Sequence, residues 1–486
     1  MLFNSWQFAV FLPIVFFVYY ALNDTYRWIF LLGASYFFYM SWNPKLVVLI
    51  AGTTLISYFC AIRVEETPDR RGKKGWMLLG LLTSLAILFF FKYYNFFAES
   101  AASILRLFSL PARDLTLKLI LPVGISFYTF QTLSYVIDVY RGDLRAERHL
   151  GYYALYVSFF PQLVAGPIER PGNLIPQLRE KTVFSYENVT KGMKIMAWGY
   201  FKKMVLASYL SVYVDKIYDH PRDYPGFALV LATIFFSIQI YCDFSGYSDI
   251  AIGSAKLFGK DLMLNFKSPY FSEGIKEFWS RWHISLSSWF RDYVYIPLGG
   301  NRVSFWRHKL NLMITFMASG HWHGANWTFV IWGGLHGFFQ VAESIWNRWF
   351  PKNKEKKEFW LVGGIKRTAT FLLVSFAWIF FRANTIGDAL FVVRNMFRNI
   401  RYFIPYLREG YDFLGLTKAK LVGLLIPLAL LFVYDYYDRK TDVIDRISSL
   451  PAGWRWLIYV VFVSGMICWV AASFGTASQE FIYFQF

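Results

Sequence analysis

Phe227-Ala-Leu-Val-Leu-Ala-Thr-Ile-Phe-Phe-Ser-Ile-Gln-Ile-Tyr-Cys-Asp-Phe-Ser-Gly-Tyr-Ser-Asp-Ile-Ala-Ile252 is apolar over more than the ~20 residues that a helix needs to cross a bilayer. It nevertheless carries Asp243 and Asp249 near its end. At about 100° per residue the two carboxylates lie some 240° apart around a helix, so they do not form a simple carboxylate pair. Each is expected to find its own partner, either a nearby basic residue in a structural pair or, for Asp243 in particular, a supporting place in a site.

Working outward from this stretch, apolar segments recur to both ends of the chain. They run near Phe8 to Tyr20, Trp28 to Tyr39, Leu46 to Ala61, Trp76 to Phe91, Leu119 to Val139, Tyr152 to Ala165 and Met193 to Val214. After it come Leu310 to Met317, Trp327 to Ile345, Thr368 to Phe381, Leu421 to Tyr434 and Trp456 to Ala472. The pattern predicts an all-α polytopic membrane protein, one domain over 1–486, with about 11–13 transmembrane or re-entrant helices. Composition agrees: 56% of the 486 residues are hydrophobic and 21% aromatic, more than one soluble core hides. Met1 to Tyr20 lacks the positive start and small-residue cleavage site of a secretory signal and is expected to stay as the first membrane element.

The formal charge is 50 − 32 = +18. Its Lys and Arg residues gather in short loops between apolar spans, which is positive-inside patterning and argues against nucleic acid as the partner. The loops at Arg63 to Lys74 and after Tyr140 are separated by two spans, so both are assigned to the cytoplasmic side, as is the basic stretch Lys352 to Lys357. The longest interruption, Lys256 to Lys309, mixes basic and aromatic residues and reads as cytoplasmic interfacial helix over 253–309. Cys60, Cys242 and Cys468 are far apart in apolar runs and suggest neither disulfides nor a metal cluster.

Polar groups at membrane depth are costly and therefore mark function by default. Ser126, Thr129, Gln131, Ser134 and Asp138 interrupt one apolar run, where interhelical hydrogen bonding is the plain reading. Pro161, Gly166 and Pro167 break the helix in Phe159-Phe-Pro-Gln-Leu-Val-Ala-Gly-Pro-Ile-Glu-Arg170, an irregular backbone suited to a cavity wall. Two segments carry histidine: Arg281-Trp-His-Ile-Ser-Leu-Ser-Ser-Trp-Phe-Arg-Asp-Tyr-Val-Tyr295 and Gly320-His-Trp-His-Gly-Ala-Asn-Trp327. His321 and His323 would point about 200° apart on a helix, with no H-E-x-x-H pattern, so no metal is assigned. Between Gly320 and Gly324, His323 has little bulk beside it, and a substrate or another backbone can come close. Its imidazole suits a base that takes a proton from a hydroxyl and returns it to a leaving group. The opposing reading, a satisfied core histidine or a surface one, is kept for His149, His220, His308 and His336.

These two segments, with Phe159-Phe-Pro-Gln-Leu-Val-Ala-Gly-Pro-Ile168, Tyr241-Cys-Asp-Phe-Ser-Gly-Tyr-Ser-Asp249 and the ending Phe481-Ile-Tyr-Phe-Gln-Phe486, resemble the membrane-bound O-acyltransferase family over nearly the whole chain. Within it the chain is similar to the bacterial branch containing the alginate O-acetyltransferase membrane subunit. The resemblance implies a ring of helices with a central funnel and tunnel, with His323 as the essential histidine and His283 in the second signature position. It implies His323 as general base on an acceptor hydroxyl, with His283 and Asn326 both open as oxyanion donors. Trp322, Trp282, Asp243, Trp289, Asp292 and Tyr295 are the supporting residues expected around them. The implied donor is a cytoplasmic acyl thioester, acetyl-CoA or an acyl carrier, and no cofactor is held permanently. The implied partners are membrane lipid, a polysaccharide acceptor outside and an extracytoplasmic esterase-like acyltransferase of SGNH type, in the cytoplasmic membrane of a bacterium. D-alanyl transfer toward teichoic acid, or transport of an envelope intermediate, remain the alternatives. Cys242 stands where a bulkier aromatic is expected.

Overall fold

A computed structural model describes residues 1–111, 113, 115–350, 360–415 and 417–472. The basic stretch Lys352 to Lys357 and the ending Phe481 to Phe486 lie outside the described residues. Among the described residues every regular element is helical, as a chain surrounded by lipid requires when its backbone groups must be satisfied within each segment. Contacts divide the chain into two compact units, Met1–Met196 with Ile250–Met263, and Ala197–Asp249 with Leu264–Phe486.

The first unit holds α1 (Trp6–Ala21), α2 (Asp24–Met40), α3 (Val47–Glu66), α4 (Arg70–Leu88), α5 (Tyr94–Leu107), α6 (Ile125–Arg141), α7 (Leu150–Ser158), α8 (Pro171–Arg179) and most of α9 (Tyr186–Tyr200). Within it α3 packs on α4 and α6, and α2 on α7. The α6 helix starts six residues later than the apolar run at Leu119, because Gly124 takes the left-handed conformation (φ 76°) just before it. After α7 the chain is irregular, as its prolines dictate, and its polar groups are answered by neighbours. The Phe160 amide donates to Ser35 Oγ (3.1 Å), Gln162 Nε2 donates to the Tyr156 carbonyl (2.6 Å), and buried Glu169 accepts from the Met263 amide and from Asn173 Nδ2.

The second unit holds α10 (Ser208–Tyr218), most of α11 (Gly226–Leu257), α12 (Ile275–Arg281), α13 (Ile284–Phe290), α14 (Phe305–His323), α15 (Trp327–Trp349) and α16 (Trp360–Arg382). It continues with α17 (Ile386–Asn395), α18 (Phe403–Leu414), α19 (Lys418–Asp438), α20 (Val443–Ser448) and α21 (Ala452–Ala472). Among the described residues six helical stretches are long and apolar enough to cross a membrane: Pro44–Glu66, Arg70–Leu107, Gly226–Leu257, Trp360–Arg382, Lys420–Asp438 and Ala452–Ala472. None of the α21 residues is buried by the chain, which leaves that apolar surface to lipid.

The apolar segments read from sequence differ from these helices in two ways. The Leu310 to Met317 run is the middle of the much longer α14, whose ends carry polar residues and histidines. The α8, α17, α18 and α20 helices have no counterpart among the apolar runs, because they are short or two-sided, with Arg, Asp and Glu alternating with their apolar positions.

Between α9 and α10 lies a π-helical turn, Phe201–Ala207, packed on α19 and α21. Its backbone reaches α11 closely. A Cβ on Gly246 would stand 2.7 Å from the Gly199 carbonyl oxygen and 3.1 Å from the Lys203 amide nitrogen, so only glycine permits that approach. Gly246→Val is expected to lower stability by about 1–3 kcal/mol, the usual penalty for overpacking. Gly334→Ala, where the added carbon meets nothing within 4 Å, is expected to be neutral. Thermal unfolding of the two detergent-solubilised variants, side by side, is the check.

Candidate acyl-transfer site

Consecutive lysines on the π-turn answer the two carboxylates of α11. Lys203 Nζ lies 2.5 Å from Asp243, and Lys202 Nζ lies 2.6 Å from Asp249. The expectation of separate partners holds, since adjacent positions on one helical segment diverge by about 100° and so reach two different faces of α11. A third buried carboxylate, Asp435 on α19, accepts from Tyr241 Oη at 2.8 Å. Asp243 thus supports the architecture of α11, the helix that also supplies Phe244 and Ser248 next to His283.

His283 sits between α12 and α13, two seven-residue helices too short to span, and is fully buried. Its backbone is left-handed (φ 44°, ψ 54°), uncommon for a residue with a Cβ and a conformation that surrounding contacts must enforce. Those contacts come largely from Asn265, which the sequence reading missed: an asparagine in a loop carries no motif signal by itself. The Ile284 amide donates to the Asn265 carbonyl oxygen at 2.9 Å. Asn265 Oδ1 lies 3.0 Å from His283 Nδ1 and accepts from the Ser285 hydroxyl (3.0 Å) and amide (3.4 Å). Asn265 Nδ2 donates to Ser248 Oγ at 3.1 Å. Burial pushes the His283 imidazole down to about 3, so it stays neutral.

His323 ends α14, with a relative exposure of 3%. Its ring stands edge-on to Trp322 (4.9 Å between centroids), Trp332 (4.9 Å) and Phe381 (5.4 Å), and 6.4 Å from the His283 ring. The neighbouring His321 is only half-buried, in keeping with the opposite directions of positions two apart on a helix. Gly320 is explained by a backbone rather than a substrate. A Cβ there would meet the Phe329 carbonyl oxygen at 2.4 Å and the Gly333 Cα at 3.0 Å, so α14 and α15 touch main chain to main chain one turn before His323. Behind Trp332 lies His336, buried and accepting at Nδ1 from Trp279 Nε1 (3.3 Å).

The supporting residues separate into groups. Trp322 and Trp282 are buried in the aromatic layer, Trp282 against Trp378 (5.1 Å) and Trp322 against both histidines. Asn326 caps α15, accepting from the Thr328 amide (3.1 Å) and donating to the Asn384 carbonyl (3.2 Å). Trp289 packs on Tyr293, and Asp292 pairs with adjacent Arg291 at 2.8 Å. Tyr295 lines a cavity of about 500 Å³ with Lys276, Arg291 and His308. Phe316, Ser319 and Trp279 also line it; Ser319 is one helical turn before His323, and Trp279 packs on Trp332 at 5.7 Å. His308, read from sequence as a core or surface residue, lines this cavity. Among the described residues no three His, Cys, Asp or Glu side chains converge as a metal site would need.

An all-α membrane fold thus holds two buried imidazoles with ring centroids 6.4 Å apart in an aromatic chamber. The model of the MBOAT, membrane-bound O-acyltransferase family, matches residues 144–383. The chain is 38% identical to the probable alginate O-acetylase AlgI of Pseudomonas putida, over the full length of both. It is 37% identical to the peptidoglycan O-acetyltransferase of Helicobacter pylori, with 82% of this chain and 80% of that one covered. A teichoic acid D-alanyltransferase of Bacillus subtilis is 27% identical over 53% of this chain and 67% of its own. The chain belongs to the membrane-bound O-acyltransferase family and is a multi-pass membrane O-acyltransferase.

The Lys203–Asp243 pair is buried, with side chains 4% and 9% exposed, so losing one partner strands a charge. Lys203→Met alone is expected to cost about 3–5 kcal/mol, and Lys203→Met with Asp243→Leu to recover most of it. The midpoints of thermal unfolding for the two singles and the double decide this.

Proposed function

We propose that the protein transfers an acetyl group from a cytoplasmic thioester, acetyl-CoA or an acyl carrier, for O-acetylation of a polysaccharide outside a bacterial cytoplasmic membrane. The observation that carries the reading is the buried His323–His283 pair in its aromatic chamber, with a basic-lined cavity reaching Ser319 one turn away. The two relatives that cover most of both chains are named for O-acetyl transfer to polysaccharide, which favours acetyl over other acyl groups.

In the proposed reaction the acceptor hydroxyl oxygen attacks the thioester carbonyl carbon. The new C–O bond forms as the C–S bond breaks, and the hydroxyl proton passes to His323 and then to the departing thiolate. The aromatic walls exclude water, which protects the thioester from hydrolysis. Lys276 and Arg291 give the cavity the positive charge that a phosphate-bearing donor requires. The segment 253–309 lies on the cytoplasmic side in this scheme, and the first acceptor is a serine of an esterase-like SGNH partner, which then acetylates the glycan.

His323→Ala is expected to remove O-acetyl groups from surface glycan by about 10²–10⁴-fold, with protein level and glycan export unchanged. His321→Ala is expected to retain most of them. Mass analysis of envelope glycan from the two variants and a deletion strain is the measurement. Loss of glycan export would point to transport, and loss of D-alanyl rather than acetyl groups would change the acyl group assigned.

A further inference from the structure

The hydrogen bonds around Asn265 fix which nitrogen of His283 carries its proton. The Ser285 backbone N–H can only donate, so the Asn265 amide atom facing it is the carbonyl oxygen, and the opposite end, as NH₂, donates to Ser248 Oγ. That same carbonyl oxygen lies 3.0 Å from His283 Nδ1 and has no hydrogen to offer. The bond therefore requires Nδ1–H, and a neutral imidazole protonated at Nδ1 bears a lone pair at Nε2.

We infer that Asn265 is a positioning residue that locks His283 as the Nδ1–H tautomer, so that His283 enters acyl transfer as a hydrogen-bond acceptor at Nε2 rather than as a donor to the oxyanion. The inference rests on the acyl-transfer reading and assigns a role within the same site. A thioester carbonyl oxygen gaining negative charge would meet the Nε2 lone pair with repulsion, so the group held there must bring its own hydrogen, as the O–H of an acceptor or the amide N–H of a pantetheine arm does.

The second histidine cannot substitute for that group directly. With ring nitrogens about 1.2 Å from their centroids, rings 6.4 Å apart bring their nitrogens no closer than about 4 Å, beyond the ~3 Å of a direct hydrogen bond. A bridging atom of substrate or water is needed between them. The charged groups nearby on α11 and α12 are paired. On α11, Asp243 and Asp249 are matched by Lys203 and Lys202; on α12, Arg281 is matched by Glu277; the facing titratable group on α14 is His323.

The test uses the full chain. ¹⁵N imidazole shifts of purified protein in nanodiscs, with His283 assigned by its substitution, read the tautomer without any donor. The expected result is a neutral Nδ1–H ring across about pH 5–8, lost in Asn265→Leu. In cells Asn265→Leu is expected to lower glycan O-acetylation by about 10–100-fold, the usual size of such an effect. Asn265→Asp keeps the accepting oxygen and is expected to restore the tautomer and most acetylation. Its carboxylate raises the His283 pKa, so the protonated, non-accepting ring appears as pH falls through that higher value in the titration. Ser248→Ala, which leaves the His283 bond itself in place, is expected to preserve the tautomer and guards against misfolding of Asn265→Leu. An Nε2–H ring in the native protein, or Asn265→Leu acetylating as well as native while His323→Ala does not, overturns the inference and leaves the function standing. Persistent acetylation in His323→Ala overturns the function instead, while the shifts still report the tautomer.

Discussion

The interior of a bilayer offers no hydrogen-bond partner, so each polar group that a chain carries to that depth must be answered by the chain itself. In the second unit that requirement is met by converging three elements on α11. The π-turn brings Lys202 and Lys203 to Asp249 and Asp243, the loop after α11 brings Asn265 to Ser248, and α19 brings Asp435 to Tyr241. The two lysines are consecutive on the π-turn, so they diverge by about 100° and reach carboxylates on two faces of α11. The small Gly246 then sets how near that turn can come.

The same helix supports the chemistry. Ser248 lies one residue before Asp249, so the buried ion pairs that hold α11 also hold the hydroxyl against which Asn265 is oriented, and Asn265 in turn orients His283. On the facing side, the α14–α15 contact through Gly320 and Gly333 fixes His323 from its own backbone, while Trp332 and Phe381 fix the ring. The two histidines are thus positioned by different means: one by a polar network, the other by close packing of helices and aromatic rings. An aromatic wall suits the second, because edge-on rings fill space around an imidazole without adding a charge that would shift its proton affinity.

Much of this was legible in residue order, and the exceptions are physically informative. The long apolar runs and the irregular stretch after Phe159 follow from composition and proline, which act locally. Separate partners for Asp243 and Asp249 followed from helical angle alone. His323 was distinguished from His321 only by resemblance, whereas three-dimensional packing separates them by burial, since two positions apart on α14 face opposite ways. Asn265 was invisible because its importance arises from five bonds made across a gap in sequence, none of which leaves a local pattern. Asn326 was conspicuous for the opposite reason. It adjoins the histidine motif, but its amide caps α15, a role that any helix start of this kind demands.

The contrast between the two asparagines bears on how the oxyanion is stabilised. Once Nε2 of His283 is a lone pair, that ring offers no donor to a developing negative charge in the way an oxyanion hole does, and the Asn326 side chain is engaged at both ends, its oxygen by the Thr328 amide and its nitrogen by the Asn384 carbonyl. Beside His323 stand the indoles of Trp322 and Trp332, with Trp378 stacked on Trp332. Indole donates and never accepts, carries no charge to desolvate, and is held by ring packing rather than by a flexible stem. A chamber built from tryptophan therefore combines exclusion of water with fixed donors. The density of Trp around His323 thus encloses the imidazole without bringing a charge to it.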